Sequence, residues 1–276
     1  MVWANETLSN AVIRYLTKET RNYQRRIPNN LDNLKKQIRP GDVLLVEGKS
    51  RISQIIKYLT QSSWSHSAIY VGDHIRLTDH PSAKPYQELY GEESRQLLVE
   101  AEMTGGVAAV PLTKYVDYNL RLCRPYSLSA EDLEKVLGEV ISHLGDQYDR
   151  KGLVDLGRYL TPFSLIPARW RRKAFFLGPS TSRAVICSGL IARAFLNVHY
   201  PVLPLASNNP LQEKKDGIFP YGRRFRSFHP SLALPRDFDL SPYFHIVKFN
   251  LAGGPIDYRS LEWEGVLDSG VPDDSR

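Results

Sequence analysis

The sequence predicts an α+β domain in which a mostly antiparallel sheet packs against helices. Short apolar or alternating runs, typical of strands, fill much of the chain between Gly41 and Pro125, and the strongest helical periodicities follow them. Regular strand–helix alternation, which would indicate a parallel sheet, does not occur. With 276 residues, 42% of them hydrophobic and 24% charged, the chain is long enough to bury its own core.

The first elements follow from apolar spacing and from glycine. One amphipathic helix is predicted within residues 5–36, where Leu8, Val12, Ile13 and Leu16 recur at helical spacing. GDVLLVEG (Gly41–Gly48) is a short apolar run bounded by glycine, which favours a buried strand. A helix then begins near Ser50, because Ile52, Ile55, Ile56 and Leu59 share one face.

Four more strands are predicted further along the chain. HSAIYVG (His66–Gly72) places His66, Ala68 and Tyr70 on one face and the intervening residues on the other. A polar, proline-containing loop is expected over Asp73–Arg95. The other strands are LLVEA (Leu97–Ala101), VAAVPL after the Gly105-Gly106 turn, and LRLCRP (Leu120–Pro125).

The later part of the chain is predicted to be mainly helical. Ser129 and Asp132 resemble a capping box before an apolar stripe that ends at Gly145, and residues 149–160 are expected to be helical too. ICSGLIARAFLNV keeps a 3.6-residue apolar period from Ile186 onward, which indicates another helix. One further strand is predicted at FHIVKFNL (Phe244–Leu251), and the polar tail after Leu267 is expected to be loose.

The two cysteines, Cys123 and Cys187, are too few for a disulfide scaffold or a Cys-rich metal module, and they fit a reducing compartment. Cys187 begins a predicted helix, where backbone N–H groups and the helix dipole favour the thiolate. It is therefore a candidate nucleophile, the alternative being a small buried hydrophobic residue. Cys123 lies inside an apolar strand, so only the buried interpretation is kept for it.

A cysteine nucleophile needs a nearby base and a group that orients that base. His66, at the start of a strand, is the best-placed histidine, and His245 on the late strand is its one serious competitor. Glu100 closes an apolar run, where a carboxylate needs a partner, so it is the natural orienting group. A solvent-facing Glu100 is the alternative, with Glu102 and Glu47 kept as substitutes.

Four segments together resemble a known family. ICSGLI resembles the nucleophile motif of NlpC-type papain-like cysteine peptidases, and LGDQYDRKG resembles the segment that precedes it. WSHSAIYVG resembles the family's histidine strand, and VEAEMTGGV resembles the strand carrying the third polar residue. Here the histidine strand precedes the cysteine, which is the order a circular permutation produces. The chain thus resembles the permuted papain-like amidases of bacteria, the YiiX/YebB group, over about residues 38–200.

The resemblance implies a circularly permuted papain-like (NlpC-type) fold, with an antiparallel sheet or partial barrel packed against helices. It implies a hydrolase domain over residues 38–205, preceded by an amphipathic helical extension (1–37) and followed by an extension that packs on the domain (206–276). Cys187 would be the nucleophile, His66 the general base and then acid, and Glu100 the orienting group. Oxyanion or substrate-positioning roles would fall on Tyr148, Ser188, Trp64 and Tyr70. No metal and no cofactor are expected.

Three functions remain open from the sequence. The first is a cysteine amidase or peptidase that cleaves an amide bond in a peptide, such as a cell-wall fragment, through an acyl-enzyme. The second is a lipid-directed thioesterase or acyltransferase at a membrane surface. The third is a non-catalytic binding module on the same fold.

Charge and hydropathy set the expected partners and location. The net charge of +6 is concentrated in Arg169–Lys173 and Arg223–Arg226, which could meet an anionic membrane surface or remain solvated loops. No recognised nucleic-acid motif occurs, so nucleic acid is not expected as a partner. No apolar run is long enough to span a membrane and no secretory signal begins the chain, so a cytoplasmic protein able to meet membrane surfaces is expected.

Overall fold

The computed structural model describes residues 14–20, 23–26, 28–78, 80–102, 105–146, 187–203 and 229–250. Its strands are β1 (Val43–Glu47), β2 (His66–Gly72), β3 (Leu97–Glu102), β4 (Gly106–Pro111), β5 (Asn119–Pro125) and β6 (Phe244–Val247). In the described residues they form one open sheet in the order β4-β3-β2-β1-β5-β6, and every pair of neighbours is antiparallel. The predicted fold class is confirmed, with an open sheet.

Helices pack around this sheet. They are α1 (Leu31–Gln37), α2 (Arg51–Thr60), α3 (His74–Leu77), α4 (Ala83–Tyr90), α5 (Ala130–Ser142), α6 (Cys187–Asn197) and α7 (Pro235–Leu240). Short 3-10 turns cover Gly91–Arg95, Leu112–Tyr115 and Pro230–Leu232. α6 packs on α5 and on β2 and β3, so the helix that begins with Cys187 lies against the central strands. No helix within the described ranges is long and apolar enough to cross a membrane.

The two faces of the sheet hold separate apolar clusters. Ile69 and Val71 of β2 pack in the cluster that contains α5 and α6, whereas Ala68 and Tyr70 pack in the cluster that contains Leu34 of α1. This division follows from the two-residue period of a strand. It confirms the alternation read from HSAIYVG.

Local capping explains where the helices begin and end. The Ser50 side chain accepts a hydrogen bond from the Ser53 backbone N–H at the start of α2, and Ser129 accepts one from Asp132 at the start of α5. Such caps satisfy N–H groups that have no partner within the helix. Gly145 has φ +90°, a left-handed conformation that suits glycine and follows the end of α5. Both predicted starts agree with the structure, whereas α5 ends at Ser142, three residues before the predicted end at Gly145.

The N-terminal extension differs from the single helix predicted over residues 5–36. Residues 14–17 form a helical turn, but the described residues between it and α1 are not helical. Asn30 accepts a hydrogen bond from the Asn33 N–H and starts α1 as a separate helix. Pro28, just before that cap, is incompatible with a continuous helix because it has no N–H to donate. Leu8, Val12 and Ile13 lie outside the described residues.

The polar loop predicted over Asp73–Arg95 is wrong, because the segment is largely helical. Ile75 of α3 is buried in the core, and Tyr86 and Tyr90 of α4 stack with their ring centroids 6.1 Å apart. The Tyr86 hydroxyl accepts a hydrogen bond from the Ala109 N–H, 3.1 Å away on β4. The segment was predicted to be a loop because most of its residues are polar. The few apolar and aromatic residues that it contains are enough to hold a surface helix on the sheet edge.

Residues 229–250 belong to the same sheet and core. β6 pairs with β5, and Phe244 packs edge-on against Phe195 of α6 at 5.2 Å between ring centroids. β6 ends at Val247, earlier than the predicted strand end at Leu251. The helix predicted over 149–160 and the tail after Leu267 lie outside the described residues.

Candidate active site

The Cys187 thiol lies where α6 begins, against strand β2. The residue is 7% exposed, and its sulfur lies close enough to the His66 imidazole for each group to shift the pKa of the other. The Ser67 N–H and hydroxyl also face the sulfur. A helix start carries a partial positive charge, so the position itself favours an anion. The predicted helix start therefore places the thiol beside the predicted histidine.

His66 and Glu100 form the second contact. They sit on neighbouring strands, β2 and β3, and His66 Nε2 lies 2.8 Å from Glu100 Oε2. Because Nε2 takes the carboxylate, Nδ1 is the ring nitrogen left for the Cys187 thiol. The thiol, the imidazole and the carboxylate thus lie in that order across the site.

Glu100 is held by two further side chains that sequence reasoning missed. Lys114 Nζ donates to Glu100 Oε1 and to Glu102 Oε1, at 2.5 Å in each case, and the Tyr115 hydroxyl donates to Glu100 Oε2. Both donors come from the 3-10 turn Leu112–Tyr115, directly after β4. The sequence indicated only that Glu100, a carboxylate in an apolar run, needs partners, and it did not indicate which residues they are. In the structure Glu100 is 1% exposed.

These contacts change the ionisation of the three groups. Burial alone would raise the pKa of Cys187, but the charge and hydrogen bond of His66 outweigh it and lower that pKa. Burial alone would lower the pKa of His66, but the Cys187 and Glu100 anions raise it to about 10. Burial alone would raise the pKa of Glu100, but His66 and Lys114 lower it to about 2. The thiolate and the imidazolium thus favour each other, next to a carboxylate that is also held ionised.

The site opens into a cavity of about 310 Å³ that contains Cys187 and His66 in its wall. Apolar side chains form much of the rest: Val46, Ile52, Ile56, Ala101, Leu234 and Pro235. Lys49 and Lys114 add positive charge, while Glu19 and Glu102 add negative charge. A ligand of modest size can therefore reach the sulfur from this side.

Three of the predicted positioning residues lie elsewhere. The Ser188 hydroxyl is buried and donates to the Ala233 carbonyl at 2.7 Å, so it anchors α6 to the segment before α7. Trp64 Nε1 donates to Asp239 Oδ2 at 2.9 Å and lines a different cavity. Tyr70 is buried in the opposite apolar cluster, towards the far end of β2. Tyr148 lies outside the described residues.

The competing candidates are held away from the thiol. The His245 ring, on β6 at the sheet edge, packs against Tyr126 with the ring planes tilted by 40° and the centroids 4.8 Å apart. Glu47 pairs with Lys57 at 2.7 Å. Cys123 is fully buried, and burial raises the pKa of its thiol well above the ordinary value. Of the two cysteines, only Cys187 has a partner that activates it.

Within the part of the chain that the structure describes, no cluster of three or more His, Cys, Asp or Glu side chains could hold a metal ion. The basic clusters Arg169–Lys173 and Arg223–Arg226 lie outside the described residues.

A cysteine at the start of a helix, packed against a histidine and a carboxylate on adjacent antiparallel strands, defines the papain-like class. The cysteine follows the histidine in this chain, so the arrangement is permuted. Residues 37–155 match the family described as permuted papain-like amidase enzyme, YaeF/YiiX, C92 family, so this segment of the chain is similar to that family. The resemblance read from the sequence is thereby confirmed. The matched segment includes His66, Glu100, Lys114 and Tyr115 and ends before Cys187.

One similar solved structure is described as metalloprotein YiiX from Escherichia coli O157:H7. It shares 18% sequence identity with this chain, covers 77% of this chain and 98% of its own, and has a TM-score of 0.44. No curated protein matches the chain.

Proposed function

We propose that this protein is a cysteine-dependent amidase that cleaves an amide bond in a peptide, such as a cell-wall fragment, through an acyl-enzyme. The observation that carries the proposal is the placement of the Cys187 thiol beside His66, whose ring is hydrogen-bonded to the buried Glu100. The similarity of residues 37–155 to a family of permuted papain-like amidases supports the same reaction class. Both cysteines are free, so we assign the protein to a reducing compartment, where a catalytic thiol persists.

In the proposed first step, the Cys187 thiolate attacks the amide carbonyl carbon and forms a tetrahedral intermediate. The negative charge moves to the carbonyl oxygen, where the backbone N–H of Cys187 at the helix start is the nearest candidate donor. The lowered pKa of Cys187 supplies the thiolate without a separate deprotonation step.

In the second step the intermediate collapses and the C–N bond breaks. The His66 imidazolium gives its proton to the leaving amine, which leaves a thioester on Cys187 and a neutral imidazole. Neutral His66 then takes a proton from water as the water attacks the thioester, and collapse releases the carboxylic acid and the Cys187 thiolate. Glu100 holds the ring in place throughout and stabilises each imidazolium.

The apolar wall of the cavity favours a second candidate substrate. Ile52, Ile56 and Leu234 line the same cavity as the thiol and suit a hydrocarbon group better than a charged peptide side chain. The same residues would then act as a thioesterase or acyltransferase on a lipid-like acyl group. The chemistry at Cys187 is unchanged, and only the acyl group and the acceptor differ.

Alkylation by iodoacetamide at a series of pH values, followed by mass spectrometry, tests the first requirement. We expect Cys187 to react well below the pH at which an ordinary thiol ionises, and this advantage to disappear in His66→Ala. Cys123 is the internal control, since its buried thiol should stay unmodified. Slow labelling of Cys187 that ignores the histidine substitution would contradict the proposal.

Turnover of a panel of acyl-peptides, acyl esters and acyl thioesters tests the second requirement. Cys187→Ala should keep its melting temperature close to that of the wild type and lose all turnover. Preference for the peptide amides supports the amidase, whereas preference for long-chain esters or thioesters supports the second candidate. A Cys187→Ala variant that retains full turnover would contradict both.

A further inference from the structure

A second cavity, of about 450 Å³, lies beside the one that holds the thiol. Neighbouring residues of the same segments line the two: Ser65 and His66 face the thiol cavity, whereas Ser62 and Trp64 face the second one. Similarly, Pro235 lines the first cavity and Arg236 the second. The second cavity is therefore close to the site but separate from it.

The wall of this cavity is polar and carries an excess of positive charge. Three arginines line it, Arg26, Arg121 and Arg236, against two carboxylates, Glu47 and Asp239. Amide and hydroxyl side chains account for most of the other lining residues: Asn29, Gln61, Ser62, Ser63, Asn119 and Asn250. Such a wall suits a polar ligand better than an apolar one.

Both carboxylates already have cationic partners. Asp239 pairs with Arg121 at 2.5 Å and accepts a hydrogen bond from Trp64 Nε1 at 2.9 Å. Glu47 pairs with Lys57 at 2.7 Å, and Arg26 approaches it only to 3.8 Å. Neither acid therefore neutralises Arg236.

Arg236 makes no ion pair within the described residues. Its Nη1 donates to the Thr60 backbone carbonyl, and its Nε is buried with no hydrogen-bond partner. An unpaired buried donor on a cation is costly, so it is expected to have a partner that is not part of this chain's described residues. A carboxylate or phosphate binds a guanidinium through N–H groups that the protein leaves open, and Nη2 of Arg236 makes no hydrogen bond within the described residues.

We propose that this cavity binds a small polar anion through its carboxylate or phosphate group, with Arg236 as the principal contact. Arg26, 67% exposed at its side chain and without a close partner for its guanidinium, adds a second positive charge at the cavity wall. The remainder of the ligand lies against the amides and hydroxyls. This site does not depend on the reaction proposed for Cys187.

Isothermal titration calorimetry with inorganic phosphate and, separately, with acetate tests the proposal at constant ionic strength. We expect saturable binding of at least one of them at one site, and a loss of about tenfold or more in affinity in Arg236→Gln. Binding of phosphate alone would identify a phosphate ligand, and binding of acetate alone a carboxylate ligand. Cys187→Ala should bind as the wild type does, which separates this result from the fate of the amidase proposal.

Arg193→Gln is the matched control, because Arg193 also has a buried, unpaired Nε but pairs with Glu139 at 3.0 Å away from the cavity. It should leave anion affinity unchanged. If Arg236→Gln does not fold, Arg236→Lys decides, because it keeps the charge but loses the planar fork and should still weaken binding. Absence of saturable binding of either anion to the wild type, or equal affinity in the folded Arg236 variant, would overturn the proposal.

Discussion

Tyr115 and His66 share one oxygen atom of Glu100. The Tyr115 hydroxyl and His66 Nε2 both bond to Oε2, while Lys114 takes Oε1. A carboxylate bound on both oxygens cannot rotate without breaking hydrogen bonds. Glu100 therefore holds the His66 ring in one orientation, on the side of the ring away from the thiol. The orienting group is thus a three-donor assembly rather than a lone glutamate.

Tyr115→Phe should destabilise the fold by about 1–3 kcal/mol at neutral pH, because a hydrogen bond to a buried charge is lost. The pKa of Glu100, lowered from 4.5 to about 2 in the folded state, should rise. Glu100 contributes stability above its unfolded pKa that is lost as pH falls towards 2, so the difference between variant and wild type should shrink over that range. Urea unfolding at several pH values measures this. Tyr126→Phe, at an exposed tyrosine, is the control. A loss of unfolding free energy in Tyr115→Phe that does not change with pH would contradict the hydrogen bond to ionised Glu100.

Glu100→Gln should move the alkaline limb of the activity profile to lower pH. The pKa of His66, about 10 in the wild type, is raised partly by the Glu100 anion, and a neutral amide removes that contribution. Activity that needs the imidazolium should therefore fall at a lower pH than in the wild type. The pH dependence of kcat/KM measures the shift, with Glu131→Gln on the surface as control. An alkaline limb that stays in place would show that Glu100 does not act on His66.

Ser67→Ala should raise the pKa of Cys187. The Ser67 hydroxyl is fully buried, faces the sulfur and has no conventional hydrogen-bond partner of its own among the described residues. Its loss removes a donor to the thiolate, so alkylation at mildly acidic pH should slow while the rate at high pH is kept. Ser142→Ala, whose hydroxyl bonds to Glu139 on the surface, should leave the profile unchanged. Equal slowing at every pH would indicate blocked access instead.

Gly48→Ala should lower the melting temperature and disturb the approach to His66. A Cβ at this position would lie 2.2 Å from Ser53 Oγ and 2.8 Å from Ser65 Oγ, and Ser65 Oγ also accepts the hydrogen bond from the backbone N–H of residue 48. Overpacking of this kind costs about 1–3 kcal/mol. Gly138→Ala has open space around its Cβ in the middle of α5 and should instead stabilise by about 0.5–1 kcal/mol. In thermal unfolding, the melting temperature should fall in Gly48→Ala and rise in Gly138→Ala, relative to the wild type.

The sheet and the positions of Cys187, His66 and Glu100 in it could be predicted, because local sequence patterns determine them. Alternation fixed which residues of β2 share a face with His66, and a helical stripe beginning at Cys187 put the thiol at a helix start. Glu100 stood out because a carboxylate closed an apolar strand. Each of these signals lies within a few residues of the chain.

The other parts of the site depend on distant contacts. Lys114 and Tyr115 reach Glu100 only because the turn after β4 folds back over the hairpin that β3 and β4 form. Trp64 looked like a neighbour of the thiol because it precedes His66 by two residues, yet its partner Asp239 is far along the chain. Spacing in the sequence carries no information about such partners.

The hydrogen bond from Ser188 to Ala233 affects where the C-terminal boundary of an expressed fragment can be placed. The recognisable family segment stops at residue 155, and a boundary drawn there would yield a polypeptide with the acid–base residues and no thiol. A boundary after α6 would restore the thiol but remove the carbonyl that anchors its helix and the edge strand β6. If either shortened protein is inactive, the cause would be the missing part of the fold, and the result would not show that the wrong substrate was tested.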